Sequence, residues 1–96
     1  MANKPVIISE INAYVAKSGK PHVNWYVGIA TDVRKRLFEE HGVDQKGWWI
    51  YREADSELVA REAEAELLKL GYDGGTGGGD RPKYVYAYLK GPNTRE

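Results

Sequence analysis

Several groupings in this chain have the residue types and spacing to do chemistry. Arg34-Lys35-Arg36 is the one basic run, and such groups donate to phosphate oxygens while positioning a nucleic-acid backbone. Carboxylates gather between Glu53 and Glu66, the kind of region from which an oxygen-seeking divalent cation draws its ligands. Tyr84, Tyr86 and Tyr88 recur at every second position. They share one face of a strand, to pack against Trp25, Trp48 or Trp49 or to stack on unpaired bases. The stretch from Gly71 to Pro82 contains six glycines. It lacks the Gly-Lys-(Ser/Thr) ending of a P-loop and precedes a strand instead of a helix, so nucleotide binding of that kind is excluded. A flexible linker or a flap over a substrate remains. Cysteine is absent, which removes disulfides and thiolate metal sites.

The elements that must position these groups follow from periodicity and caps. Ser9 caps a helix to about Lys17, stopped by Gly19, with Ile8, Ile11 and Val15 inward. His22 to Ile29 alternates as a strand, placing Val23, Trp25, Val27 and Ile29 on one side and Asn24, Tyr26 and Gly28 on the other. Thr31 caps a helix to His41, where Gly42 ends it, and Val33, Leu37 and Phe38 face the core. Trp48 to Arg52 is a second strand. Asp55 or Ser56 caps a helix to Leu70, with Val59, Ala63, Leu67 and Leu70 inward and Glu57 paired to Arg61 outward. Lys83 to Leu89 is the third strand, and residues 91–96 form a flexible tail. The expectation is one α+β domain: a small, mainly antiparallel three-stranded sheet flanked by about three helices.

The segment Trp25-Tyr26-Val27-Gly28-Ile29-Ala30-Thr31-Asp32-Val33-Arg34-Lys35-Arg36-Leu37 resembles the second half of the GIY-YIG nuclease signature. In that family a strand ending Tyr-(Ile/Val)-Gly leads through a polar cap into a helix carrying an arginine ten residues after the tyrosine; Arg36 holds that place relative to Tyr26. Ala60-Arg61-Glu62-Ala63-Glu64-Ala65-Glu66-Leu67-Leu68 resembles the helix that presents the family's metal-binding glutamate, with Glu64 as the matching residue and Glu62 one register away. The likeness covers about residues 24 to 70. Three positions depart from it. The first motif, Gly-(Ile/Val)-Tyr on a strand about ten residues earlier, has only Asn12-Ala13-Tyr14 near that spacing, in a segment read here as helical; one of Tyr84, Tyr86 and Tyr88 would replace its tyrosine if the last strand lies beside that of Tyr26. The usual histidine or tyrosine four residues after the arginine is Glu40, with His41 one later. No asparagine lies between Leu70 and Leu89.

The resemblance implies metal-dependent phosphodiester hydrolysis on nucleic acid. Glu64 would bind Mg2+ or Mn2+, Arg36 would hold the scissile phosphate, and Tyr26 would orient or deprotonate the attacking water. His41 and Tyr14 are further candidates, and Arg34 and Lys35 would contact the nucleic-acid backbone. Each also has a structural reading: Tyr26 as packing, Arg36 paired with Glu39 or Glu40, Glu64 paired with Arg61, His41 as a cation at a helix C-terminus. The second function class is a noncatalytic protein-interaction module that retains the fold. With 14 basic and 14 acidic side chains the formal charge is zero, so nucleic acid, DNA by expectation, would be held weakly without a targeting protein. No apolar run reaches the length of a membrane span and no signal pattern opens the chain, so the expected compartment is the cytoplasm.

Overall fold

The computed structural model describes residues 1–75 and 81–95. Its architecture is α+β: two α-helices, a π-helix and a mixed four-stranded sheet. The first helix, α1 (Lys4–Ser18), begins earlier than its Ser9 signal. Asn3 is the true N-cap, its side chain accepting from the Val6 amide at 3.1 Å, because Pro5 is tolerated in a first turn and does not mark an outside residue. Gly19 ends α1 in the left-handed region, φ 72°. Ile7, Ile11 and Val15 are its buried residues, and Ile8 packs only at their margin.

A 3-10 turn over His22–Asn24 replaces the first part of the expected strand and leaves Val23 exposed. Strand β1 is Trp25–Ala30 and β2 is Trp49–Glu53. Between them lies the π-helix Lys35–Glu40, and Asp32 caps the turn that leads into it: its carboxylate accepts from the Lys35 amide at 3.2 Å. Helix α2 (Glu57–Lys69) is capped by Ser56, which accepts from the Val59 amide at 3.2 Å. Its core residues are Ala60, Ala63 and Leu67, while Leu70 lies outside. The Glu57–Arg61 pair forms at 2.9 Å.

The fourth strand came from the glycine-rich stretch. β3 (Asp73–Gly74) pairs in parallel with β1 at Tyr26 and Val27, and Lys90 anchors it by an ion pair to Asp73 at 3.0 Å. Two residues of no strand propensity form it because a free edge of β1 is there to pair with. The remainder of the expected linker or flap, residues 76–80, falls outside the described residues. β4 (Tyr84–Leu89) is last in sequence but central in space: the order is β2-β4-β1-β3, and β4 runs antiparallel to both neighbours. Residues 91–95, expected as a flexible tail, carry a turn and donate from the Arg95 amide to the His41 carbonyl at 2.7 Å.

The sheet separates two apolar clusters. Trp25, Val27, Ile29, Ile50, Val85 and Ala87 face α1 and α2, whereas Ala30, Tyr86 and Tyr88 face Val33, Leu37 and Val43 around the π-helix. Helices therefore cover both faces, and the tyrosine-bearing face is turned towards the π-helix. No helix among the described residues is long and apolar enough to cross a membrane.

Candidate active site

The tyrosine alternation along β4 and the short alternation of β1 meet in register on the π-helix side. Tyr26 lies opposite Tyr88, and Gly28 lies opposite Tyr86. The missing side chain at Gly28 makes room for the Tyr86 ring, since a Cβ there would stand 2.5 Å from the Tyr86 hydroxyl oxygen. Tyr26 and Tyr88 stack obliquely with centroids 5.3 Å apart. The backbone of Gly75 approaches from β3 so closely that a Cβ would stand 2.7 Å from the Tyr26 hydroxyl.

His41 closes this group from the end of the π-helix. In an α-helix the amide that bonds to the Arg36 carbonyl would belong to Glu40; here the π turn passes that bond to His41, at 2.9 Å. The extra residue in the turn swings the imidazole over the sheet, with centroids 5.0, 5.6 and 5.0 Å from the rings of Tyr26, Tyr86 and Tyr88. Its two nitrogens have distinct partners. Nδ1 faces the backbone carbonyl of Arg95, which can only accept, so Nδ1 carries the proton. Nε2 is then an acceptor, and the Tyr86 hydroxyl donates to it at 2.8 Å. Tyr88 reinforces the arrangement, its hydroxyl 3.1 Å from Nδ1 and donating to the same carbonyl at 3.3 Å. Burial holds the His41 pKa below the ordinary histidine value, with the nearby Arg36 and Arg95 charges acting the same way against the Arg95 carbonyl and Glu40. Burial and two distinct hydrogen-bond partners thus favour a neutral, oriented imidazole at His41.

Tyr86 is the point where the candidate residues converge. Burial is the main reason its pKa is raised; the charges of Tyr26 and Glu64 also push it up, while the charge of Arg36 and a hydrogen bond from it pull down. His41 meets this hydroxyl directly, and the charges of Tyr26, Arg36 and Glu64 bear on it, Glu64 from α2, which covers the other face of the sheet. Arg36 also holds Glu40 at 2.8 Å. Tyr14 does not belong to this group: α1 carries it to the other side of the sheet, where its ring packs edge-on against Trp25 and Trp48 at 5.9 and 5.3 Å. Within residues 1–20 lies helix α1 (Lys4–Ser18), where a motif strand would be needed. Arg34 lies over the Phe38 ring, 5.2 Å from its centroid, and Lys35 is exposed beside it.

Glu64 is the cation candidate. Desolvation raises its pKa, and Arg61 only partly offsets this. Its carboxylate makes no hydrogen bond or ion pair with any described residue, although it is half-buried. A half-buried, unneutralised carboxylate is a fitting ligand for a divalent cation. No three His, Cys, Asp or Glu side chains come together among the described residues. A single carboxylate suits Mg2+ or Mn2+, which keep waters and take substrate oxygens, and does not suit a closed zinc site.

The condition under which a tyrosine of the last strand would join Tyr26 is met, since β4 lies beside β1; Arg95 is the neighbour that the sequence reading did not assign to this place. Alternation set the face of Tyr86 but could not say which strand lies beside it, and nothing in the sequence marks the Arg95 carbonyl. Comparison of the chain with models of known families, with characterised proteins and with solved structures returned no significant match.

Proposed function

We propose that this protein is a metal-dependent endonuclease of GIY-YIG type whose first motif is supplied by the last strand. The observation that carries the reading is the Tyr86 hydroxyl, which meets Nε2 of His41 at 2.8 Å on the strand that pairs with β1 at Tyr26, where the charges of Arg36 and Glu64 are also felt. Val85-Tyr86 then serves as the family's (Ile/Val)-Tyr pair, beside Tyr26-Val27-Gly28 in space though far away in sequence. His41 serves for the residue expected four after the arginine, because the π turn takes up the extra position.

The chemistry follows from the groups in place. A divalent cation held by Glu64 would supply Lewis-acid stabilisation of the phosphate oxygens and acidify the attacking water. Tyr86 takes the proton of that water as its own proton passes to Nε2 of His41, so no free phenolate has to exist in a site that disfavours one. The water oxygen forms its bond to phosphorus while the leaving oxygen departs with the electron pair of the broken bond. Arg36 exchanges Glu40 for a phosphate oxygen and neutralises charge there with its planar fork. Tyr26 would orient the water with its hydroxyl.

One observation favours the second reading, a noncatalytic interaction module: Arg36 is already paired with Glu40. The deciding experiment incubates the purified protein with supercoiled plasmid and with branched DNA, in Mg2+ or Mn2+, alongside Glu64→Ala and Tyr86→Phe. Cleavage that needs the metal and falls by about 100-fold or more in each variant supports the nuclease. Equal cleavage by all three proteins identifies a contaminant and overturns the assignment, and no cleavage on either substrate leaves the interaction module. With no net charge, binding of DNA by the domain alone is weak, and a targeting protein would supply the missing affinity.

A further inference from the structure

The same sheet face extends away from Tyr86 towards β2 as a row of half-buried aromatic rings. Tyr84 meets Tyr51 edge-on with centroids 5.9 Å apart, Tyr51 lies parallel to Trp49 at 5.9 Å and 8°, and Trp49 meets Phe38 edge-on at 5.0 Å. None of the four belongs to the fully buried core; they lie partly open beside it. Between Tyr51 and Tyr84 on one side and Thr31, Asp32, Val33 and Arg34 on the other runs an open cleft of about 350 Å³. That volume falls at the lower end for small-ligand sites, of order 300–1,000 Å³, and accommodates one base with its sugar.

We propose that this cleft is a slot for an unpaired nucleobase flanking the reacting phosphate, so that the substrate is a single strand or a junction carrying one. The proposal rests on the nuclease reading for the identity of the reacting phosphate. Three features carry it. Aromatic faces bind bases whatever their sequence, but only bases released from duplex stacking can reach them. Cations border the slot without filling it: Arg34 lines its wall, and Lys35 and Arg36 follow on the π-helix, as a strand whose base enters and whose phosphates stay outside requires. Asp32, whose carboxylate is engaged in capping the Lys35 amide, repels phosphate from the interior and leaves that space to the neutral ring. Tyr84 and Tyr86 are two residues apart on one strand, about 7 Å, which sets the slot next to the reacting centre.

Binding is measured by fluorescence anisotropy in EDTA, so that it does not depend on cleavage. The probes are a labelled mixed-sequence single strand as DNA and as RNA, its blunt duplex, and a splayed-arm duplex. The expected result is binding of single-strand and splayed-arm probes about tenfold or more tighter than the blunt duplex. Tyr51→Ala should remove about tenfold of that affinity and Tyr51→Phe almost none. Tyr51→Phe keeps the ring, so its retained binding separates stacking from loss of fold. Either sugar form binding in a Tyr51-dependent manner supports the slot. Equal affinity for single strand and blunt duplex, or weakening by Tyr51→Phe equal to that by Tyr51→Ala, overturns it. Metal-dependent cleavage without strand preference removes the slot and keeps the nuclease; Tyr51-dependent strand binding without cleavage keeps the slot and removes the nuclease.

Discussion

At the scale of single residues, Gly28 and His41 have sharply defined jobs. A Cβ on Gly28 would meet the Tyr86 hydroxyl at 2.5 Å, and the Tyr86 ring is buried and tied to His41, so it cannot simply swing away. Gly28→Ala should therefore displace Tyr86 from Nε2. The expected outcome is a stability loss of about 1–3 kcal/mol from overpacking, read by denaturant unfolding, together with loss of cleavage in a variant that still folds. The pH dependence is set by two groups. His41 must be neutral to take a proton, and its pKa lies below the ordinary value; Glu64 must be ionised to hold a cation, and its pKa lies above the ordinary value. Activity should therefore fall on the acid side as His41 gains a proton and Glu64 loses its charge. Stability rises with pH through the lowered His41 pKa, as activity does, and runs the opposite way for Glu64. A raised carboxyl pKa means the folded state holds the proton more tightly than the unfolded one, so ionising Glu64 costs stability as pH rises through its folded pKa. In metal-free buffer at neutral pH, Glu64→Gln should melt at a higher temperature than the parent, and the difference should vanish at acid pH, where both side chains are neutral. An unchanged melting temperature would mean the carboxylate is neutralised in solution.

At the scale of elements, legibility followed locality. Periods of about four and of two located both α-helices and the three longer strands, since caps such as Ser56 and stops such as Gly19 and Gly71 act within a few residues. The start of α1 was missed because two polar caps were available, Asn3 and Ser9, and only packing of Ile7 chooses between them. Neighbourhood in the sheet was not legible. Nothing local makes β4 the central strand, and that placement alone turns Tyr86 from one tyrosine of a stripe into the centre of the site while leaving Tyr14 outside it. The helix after β1 was read with the right span and the wrong pitch, and the pitch decides which residue points inward. If the π turn serves to absorb one extra residue, deleting exposed Glu39 should convert it to α geometry and keep His41 one turn beyond Arg36. Such a deletion should retain cleavage within about tenfold, whereas inserting Ala after Glu39 should carry His41 away and remove about the 100-fold that an acid–base group contributes. Deletion that abolishes cleavage in a folded protein would show that the π pitch itself is needed.

At the scale of the whole molecule, charge and layering set what the site can hold. The sheet keeps the larger apolar core, between it and α1 and α2, apart from the face that carries Tyr86 and His41, where a second, buried cluster is bordered by the half-buried rings of Tyr26, Trp49, Tyr51 and Tyr84. The chain as a whole has no excess of cations, and Arg34, Lys35 and Arg36 are grouped on the segment that borders the aromatic face. Each cation that meets a phosphate of a single strand releases condensed counterions and contributes about −0.7 to the slope of log K against log salt concentration. Contacts from these cations alone predict a slope of about −2 for a single strand, shallow beside the steep values of basic nucleic-acid binders. Arg34→Ala should lower its magnitude by about 0.7, and Tyr51→Ala should weaken binding by a similar factor at every salt concentration without changing the slope, because stacking releases no counterions. A parent slope of about −5 or steeper would place further phosphate contacts elsewhere on the surface, whereas a slope near −2 would mean that affinity beyond this patch comes from stacking on the aromatic row or from a partner that delivers the domain to its strand.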